Sequence, residues 1–470
     1  MKVSLIFPNI NLGRILKISF HPPLGLATLA AVVEKAGYDV SVIDTAALNF
    51  SNKKLLTKLK DINPDVIGIT TNILLSKQSL NLSKLIRRLL PHAKIVFGGP
   101  WASAVYEMLL KNKYCDFVIV GEGEHSFIEL LSNIEKEKIP KTRPGIAYLD
   151  PHNRKVHLEP PCPIENLDTN PFPAWHLFPS PKKYFFNTRG TIFYPIMTSR
   201  GCPYQCNHCT KIIHGSKVRY RSIENVIDEI RYLKEKFSLD ELLIIDDNFT
   251  INKKRAERIC DEIIRNNFDI LIQFSNGIRA DTLTPRLVRK LKQAGTYKLA
   301  IGIESGNQQV VNKIGKKLNL NAVRRAAKIV KSEHIILAAF FMIGHPFDNI
   351  NSMTDTINFA LEIDPDYPHF FITIAFPGTE LYNQVQREGK FLISLEDIDR
   401  DIDRNIRAAN FEIFDLKAED VERKFKEAYR RFYLRPKKLL TLLTKIRSFS
   451  ELKFVINFGI LTVLNILNFN

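Results

Sequence analysis

Three thiols, Cys202, Cys206 and Cys209, stand in a C-x3-C-x2-C spacing within Ile-Met-Thr-Ser-Arg-Gly-Cys-Pro-Tyr-Gln-Cys-Asn-His-Cys-Thr, residues 196–210. Half of the chain's six cysteines fall in this one turn, beside Gly201 and Pro203, which favours metal ligands over ordinary core cysteines. Three soft ligands are one short of closing a tetrahedral zinc site or of coordinating every iron of a cubane cluster. The deficit suggests a cluster with one open iron, at which a substrate or cofactor can bind. Met1-Lys2 leads directly into Val3-Ser4-Leu5-Ile6-Phe7, a first strand rather than an export signal. A reducing cytoplasm is therefore expected, where thiols serve as ligands rather than disulfides.

The elements that must position this loop follow a βα rhythm. Over residues 191–390, strands are expected near 192–198, 241–246, 271–275, 298–303, 336–343 and 369–375, with helices near 222–237, 252–267, 284–295, 320–333 and 351–363. Ser222 is a helix cap by type, and Thr284-Pro285 pairs a cap with proline at the first helical position. Ala256, Ile259, Cys260 and Ile263 share one helical face, so Cys260 belongs to a core. Six βα units imply an incomplete TIM-like barrel, with its chemistry at the carboxyl ends of the strands. The cysteine loop follows the first of these strands. The other ends carry Asp246-Asp247-Asn248-Phe249, Ser275-Asn276-Gly277, Glu304-Ser305-Gly306, Gly344-His345-Pro346 and Pro377-Gly378-Thr379. A lone acid after a strand is usually a helix cap. Acids and glycines after successive strands that share a barrel with the thiol loop favour one pocket.

Residues 1–139 alternate Val/Ile-rich runs at 3–7, 39–43, 65–70, 94–98 and 116–120 with helices near 24–37, 52–62, 77–90, 101–113 and 124–137. Short apolar runs of this kind suit buried parallel strands, and five βα units predict a doubly wound, flavodoxin-like sheet. Its carboxyl edge carries Thr71-Asn72, Gly98-Gly99-Pro100 and Gly121-Glu122-Gly123, where glycines let a flat ligand approach the backbone. Residues 140–190 hold ten of the 24 prolines, a density that neither helix nor central strand tolerates, so they read as a connector. Trp175, Phe178, Phe185 and Phe186 suggest that it packs along a surface.

At 470 residues, 45% hydrophobic and 25% charged, the chain has the composition of a globular protein of several domains. The formal charge of +17 is concentrated late: residues 430–454 hold eight Lys/Arg against Glu451 alone. The tail, 391–470, reads as helical, with an apolar run from Phe454 to Phe469 too short and too polar for a membrane span. It could lie on an anionic membrane surface at the inner face, or act as a lid whose apolar side covers the barrel.

The cysteine loop resembles the signature of radical S-adenosylmethionine (SAM) enzymes, and residues 1–435 resemble their cobalamin-binding subgroup. The likeness is carried by Pro23-Leu-Gly-Leu-Ala-Thr-Leu-Ala, Gly98-Gly-Pro, Gly121-Glu-Gly-Glu, Asp246-Asp-Asn-Phe-Thr, Gly302-Ile-Glu-Ser-Gly, Phe341-Met-Ile-Gly-His-Pro and Pro377-Gly-Thr-Glu-Leu-Tyr. The resemblance implies an α/β protein: a flavodoxin-like cobalamin-binding domain, a partial (β/α)6 radical SAM barrel and a helical C-terminal region. It places a 4Fe–4S cluster on Cys202, Cys206 and Cys209, with SAM on the fourth iron. Asp246, Asp247 and Asn248 match the segment at the methionine moiety, and Glu304-Ser305 matches the acid that receives ribose hydroxyls. Gly344, within Met342–Asp348, matches the turn near the adenine. His208 replaces a common aromatic beside the adenine, and Asp348 stands where Glu often ends the turn. Thr71, Asn72, Gly98, Gly99, Gly121 and Glu122 are the expected cobalamin contacts. The Asp-x-His-x-x-Gly signature is missing around His21, so no histidine is expected on cobalt.

The implied activity is reductive cleavage of SAM to a 5′-deoxyadenosyl radical that activates an unreactive carbon for methyl transfer from methylcobalamin. Oxidative cyclisation or rearrangement within the same family is the alternative. The catalytic residue that acts on the substrate is not identifiable. The expected partners are a small or lipid-like substrate and a flavodoxin- or ferredoxin-type electron donor. An RNA substrate is disfavoured because Cys115 is the one cysteine of the first domain, where methylthiolating relatives carry a second trio.

Overall fold

A computed structural model describes residues 1–9, 20–136, 144–184, 186–393, 408–436, 438, 446–453, 455–457 and 459. Two compact units divide near Tyr184, with Thr210–Gly215 counted in the first.

The first unit is built on strands β1 (Lys2–Phe7), β2 (Asp39–Asp44), β3 (Val66–Thr70), β4 (Lys94–Gly98) and β5 (Phe117–Ile119), paired in parallel in the order β2-β1-β3-β4-β5. This is the flavodoxin-like order. The runs are apolar throughout because both faces are buried. Ile6, Ile67, Ile69, Ile95, Phe97 and Val118 face one helical layer. Val3, Leu5, Val66, Val96 and Ile119 face the other.

The connector differs from the expectation of a plain linker. Ile146–Leu149 (β6) and Val156–Leu158 (β7) continue the same sheet in antiparallel pairing. Asp150 makes the turn between them by accepting from the backbone of His152 and Asn153. The prolines crowd the stretch after β7, where no further ladder has to form. Trp175 is buried there, and Ala174, Leu177 and Phe178 pack on the first unit's core.

The second unit begins with β8 (Phe193–Ile196). A short antiparallel clip follows, β9 (Ser199–Arg200) with β10 (Arg219–Tyr220), which closes the base of the cysteine loop. Then come β11 (Glu241–Ile244), β12 (Leu271–Ile278), β13 (Thr296–Glu304), β14 (Ile336–Ile343) and β15 (Tyr367–Ile372). All six long strands are parallel, in the order β8-β11-β12-β13-β14-β15, an open barrel. Helices Ile223–Phe237, Lys253–Arg265, Pro285–Gln293, Leu320–Ser332 and Ile350–Ile363 alternate with them, the first and third capped by Ser222 and Thr284. Ala256, Ile259, Cys260 and Ile263 are all buried, as their helical spacing requires.

The helix Ala418–Tyr433 covers the outer face of edge strand β15, placing Tyr429 and Phe432 against Phe370. Tyr429 and Tyr433 hydroxyls donate to the carbonyls of Phe370 and Pro368. Farther on, Ser448 and Ser450 donate to the carbonyls of Thr188 and Phe186, and Glu451 pairs with Arg189 at 2.9 Å. These contacts lie at the amino end of the barrel. Among the described residues no helix is long and apolar enough to cross a membrane. Residues 394–407 and most of the run from Phe454 to Phe469 lie outside the described residues.

Candidate active site

The cysteine loop is held by acids from the next strand end. Asp246, fully buried, accepts from the Thr198 backbone N–H at 2.6 Å and from the hydroxyls of Thr198 and Ser199 at 2.7 and 2.6 Å. Arg255 donates to Thr198 Oγ1 and to the carbonyls of Thr198 and Arg221. Burial pushes the Asp246 carboxyl up, against the pull of those hydroxyls and of Arg255. Asp247 accepts from the Gly201 N–H at 2.8 Å, where Gly201 adopts φ 94°. Both acids therefore work behind the loop.

Inside the loop, Asn207 N–H donates to Ile314 O, and Leu381 N–H donates to Asn207 O. Tyr204 lies under the Arg279 guanidinium, 3.6 Å from the ring centroid, a cation–π contact. Cys202 and Cys206 are partly exposed and Cys209 is exposed. Burial raises the Cys206 thiol, while Lys316 pulls it down. Among the described residues no three His, Cys, Asp or Glu side chains converge on one metal ion. Three thiols in this spacing suit a cubane, in which each thiolate takes its own iron.

Around the loop are buried polar side chains that the protein does not satisfy. Both amide atoms of Asn248, both ring nitrogens of His345 and Nδ1 of His208 lack a hydrogen-bond partner in the protein. Asn248 is 3% exposed and His345 0%. The His208 and His345 rings stand 5.5 Å apart, tilted by 52°. Burial holds both imidazoles below their ordinary range, His345 well below it. Each unmet buried polar group costs about 1–3 kcal/mol, so the cluster suits a ligand rich in donors and acceptors.

Glu304 ends β13 in the left-handed region, φ 69°, with Oε1 2.7 Å from Lys316 Nζ. Burial raises its carboxyl, but Lys316 and His208 together outweigh that and hold it below the ordinary value. Ser305 serves the fold: its hydroxyl accepts from Asn307 N–H and pairs with Thr356. Gly344 has φ 92°, and a Cβ there would lie 2.6 Å from Val421. Asp348 organises this turn by accepting from the N–H groups of Gly344 and His345 and from the Ser352 hydroxyl.

In the first unit, Thr71, Gly98, Gly99, Gly121 and Glu122 come together at the carboxyl edge. Most serve the edge itself. Thr71 donates to Gly98 O and accepts from Ala102 N–H, Asn72 caps a short turn, and Glu122 accepts from Ile164 N–H. A Cβ on Gly99 would meet Thr71 O at 2.5 Å. Gly98 differs: its nearest neighbour would be Ile119 at 3.9 Å, so the fold leaves room above it. This edge fits a broad ligand that lies against backbone rather than one gripped by side chains.

Sequence reasoning did not single out Lys316, Arg279 or Tyr204. Lys316 is one of 67 basic residues, and nothing in its local pattern signals burial.

Comparison with known proteins agrees with this geometry. Residues 19–131 match the B12 binding domain family and residues 196–360 the Radical SAM superfamily. The chain is 31% identical over 445 residues to an uncharacterized methyltransferase, PH0819, of Pyrococcus horikoshii, with 94% of each chain covered. It is 28% identical to cytidylyl-2-hydroxyethylphosphonate methyltransferase of Streptomyces wedmorensis, over 83% of this chain and 82% of that one. The solved structure of OxsB, a cobalamin-dependent S-adenosylmethionine radical enzyme, superposes with a TM-score of 0.72 at 17% identity, covering 99% of this chain and 71% of that one. The protein belongs to the cobalamin-binding radical SAM enzymes.

Proposed function

We propose that this enzyme transfers a methyl group to an unreactive carbon of a small or lipid-like molecule, using a 4Fe–4S cluster, SAM and cobalamin. When bound, these cofactors supply one-electron cleavage of the SAM sulfonium and a transferable methyl group. The observation that carries the reading is that the buried side chains of Asn248 and His345 have no hydrogen-bond partner in a barrel that also carries the cysteine loop. The relationship to PH0819 over 94% of both chains supports methylation.

In this reading Cys202, Cys206 and Cys209 hold the cluster. Asn248, His208 and His345 meet the polar edges of SAM, and Glu304 receives its ribose hydroxyls. Asp246 and Asp247 fix the loop from behind, and Ser305 and Gly344 fix the turns. Thr71, Asn72, Gly98, Gly99, Gly121 and Glu122 form the shelf for cobalamin, with no histidine on cobalt. A flavodoxin- or ferredoxin-type protein supplies the electron. The tail supports a peripheral contact with an anionic bilayer, because Phe449, Leu452 and Ile456 are exposed at helical spacing beside Lys453. Deletion of residues 437–470 should then move the protein from the membrane to the soluble fraction.

The deciding experiment is anaerobic reconstitution with SAM, cobalamin and a low-potential reductant, followed by mass analysis of a cell extract. A product heavier by one methyl group is expected. Loss of hydrogens without added carbon would point instead to oxidative cyclisation, and failure to cleave SAM would overturn both.

A further inference from the structure

We propose that Lys316 is the positioning residue for Glu304: its ammonium takes one carboxylate oxygen and thereby presents the other to the nucleoside hydroxyls of SAM. The inference rests on the reading of Glu304 as the ribose acceptor.

Glu304 terminates β13 where the ladder to β14 slips between Gly302 and Glu304, and its backbone is left-handed. A non-glycine residue holds that conformation only when its surroundings over-determine it. Lys316 fixes the side chain that leaves this backbone. Among the described residues it is the one hydrogen-bond donor to the Glu304 carboxylate, at Oε1, 2.7 Å away. Oε2 is left to accept elsewhere. The two side chains are 13% and 9% exposed, so the pair is little screened by water. Gly302 keeps the space open: a Cβ there would stand 3.0 Å from Glu304 Oε1 and 3.2 Å from Lys316 Nζ.

The backbone that carries this ammonium is itself anchored. Arg279 Nη1 donates to Lys316 O at 2.8 Å and Nη2 to Lys317 O at 3.1 Å, while the same guanidinium lies on Tyr204 of the cysteine loop. Gly315, at φ 74°, is pressed so close to the loop that a Cβ would meet Gln205 O at 2.3 Å. Residues 314–317 are thus a strut with one side on the cysteine loop and its charged end on Glu304. A carboxylate set by this strut keeps register with whatever the cysteines hold. An ionised, fixed acceptor binds hydroxyls more tightly than a neutral or mobile one.

The test uses the reconstituted holoenzyme and four variants: Lys316→Met, Lys316→Arg, Glu304→Gln and the Lys316→Met/Glu304→Gln double. SAM affinity is measured by equilibrium dialysis, and the perturbation of the reduced cluster's paramagnetic resonance by SAM is measured alongside iron per chain. Lys316→Met should weaken SAM binding about tenfold, the scale of one charge-assisted hydrogen bond, at unchanged iron content. Lys316→Arg should restore most of the affinity. The double variant should bind no worse than Glu304→Gln alone, because Lys316 acts through Glu304. If Lys316→Met does not accumulate as folded protein, Lys316→Gln carries the same comparison. Additive losses in the double variant overturn the proposal, as does full affinity in Lys316→Met where Glu304→Gln is weakened. Full affinity in Glu304→Gln overturns the underlying assignment of Glu304 instead.

Discussion

The two ends of the barrel bury polar groups in opposite ways. At the amino end, Glu241 accepts from the N–H groups of Arg189 and Gly190 with one oxygen and from Tyr297 and Gln273 with the other. Gln273 also donates to the Asn187 carbonyl, and Lys298 donates to it at 2.6 Å. Arg189 reaches Glu451 of the tail. Two cations and two carboxylates are thereby matched inside the protein, and burial lowers Lys298 to about 8. At the carboxyl end, Asn248 and His345 are as deeply buried, yet their side-chain polar atoms have no hydrogen-bond partner in the protein. A single strand, β13, carries Lys298 at one end and Glu304 at the other. Folding satisfies Glu241 and its partners, and it leaves the side chains of Asn248 and His345 without a hydrogen bond.

The largest effect should come from the loop that makes the carboxyl end reactive. Cys206→Ala should abolish iron incorporation and SAM cleavage while leaving the thermal midpoint of the cofactor-free chain nearly unchanged, as iron analysis and 5′-deoxyadenosine release would show. At the amino end, Glu241→Ala strips partners from two backbone N–H groups, Tyr297 and Gln273. It should cost about 3–5 kcal/mol in urea unfolding. The folded fraction should keep its SAM affinity, and a selective loss of SAM binding would break the contrast between the ends.

Asn248→Ala sharpens the contrast, because it removes a buried amide that nothing in the protein satisfies. Cofactor-free stability should hold or rise by up to about 1 kcal/mol, while SAM affinity falls about tenfold. A destabilisation as large as that of Glu241→Ala would show that the amide is structural after all. A pH-dependent effect lies in the turn at Asp348, whose burial raises the carboxyl from 3.8 to about 6. A raised acid favours the folded state while protonated, so stability should fall as pH rises from about 4 to about 6 and level off above. The span is at most about 3 kcal/mol. Asp348→Asn, which keeps an acceptor for both N–H groups, should flatten that slope in thermal melts followed against pH.

Much of the fold was legible because period and composition are local. The Val/Ile runs of the first unit could only be strands buried on both faces, and the face shared by Ala256, Ile259, Cys260 and Ile263 is buried as drawn. The connector was less legible: its prolines masked Ile146–Leu149 and Val156–Leu158, two short strands that follow no long periodic pattern. At the site, residue type marked the polar strand ends but not which atoms are spent on the fold. Asp246 and Ser305 looked like Asn248 and Glu304 in sequence, yet the first two are occupied by Thr198, Ser199, Asn307 and Thr356. Asp348 carried no expected role and proves to hold the turn around Gly344.

By itself, the sequence determined the chemistry on offer: three clustered thiols, polar strand ends after six βα units, and a glycine-rich edge on a parallel sheet. Those follow from covalent spacing and from the periods of strand and helix. Only the tertiary structure decided which polar groups are already satisfied, which lysine among many reaches Glu304, and where the tail docks. Such pairings join residues far apart in the chain, and burial and hydrogen-bond geometry select them.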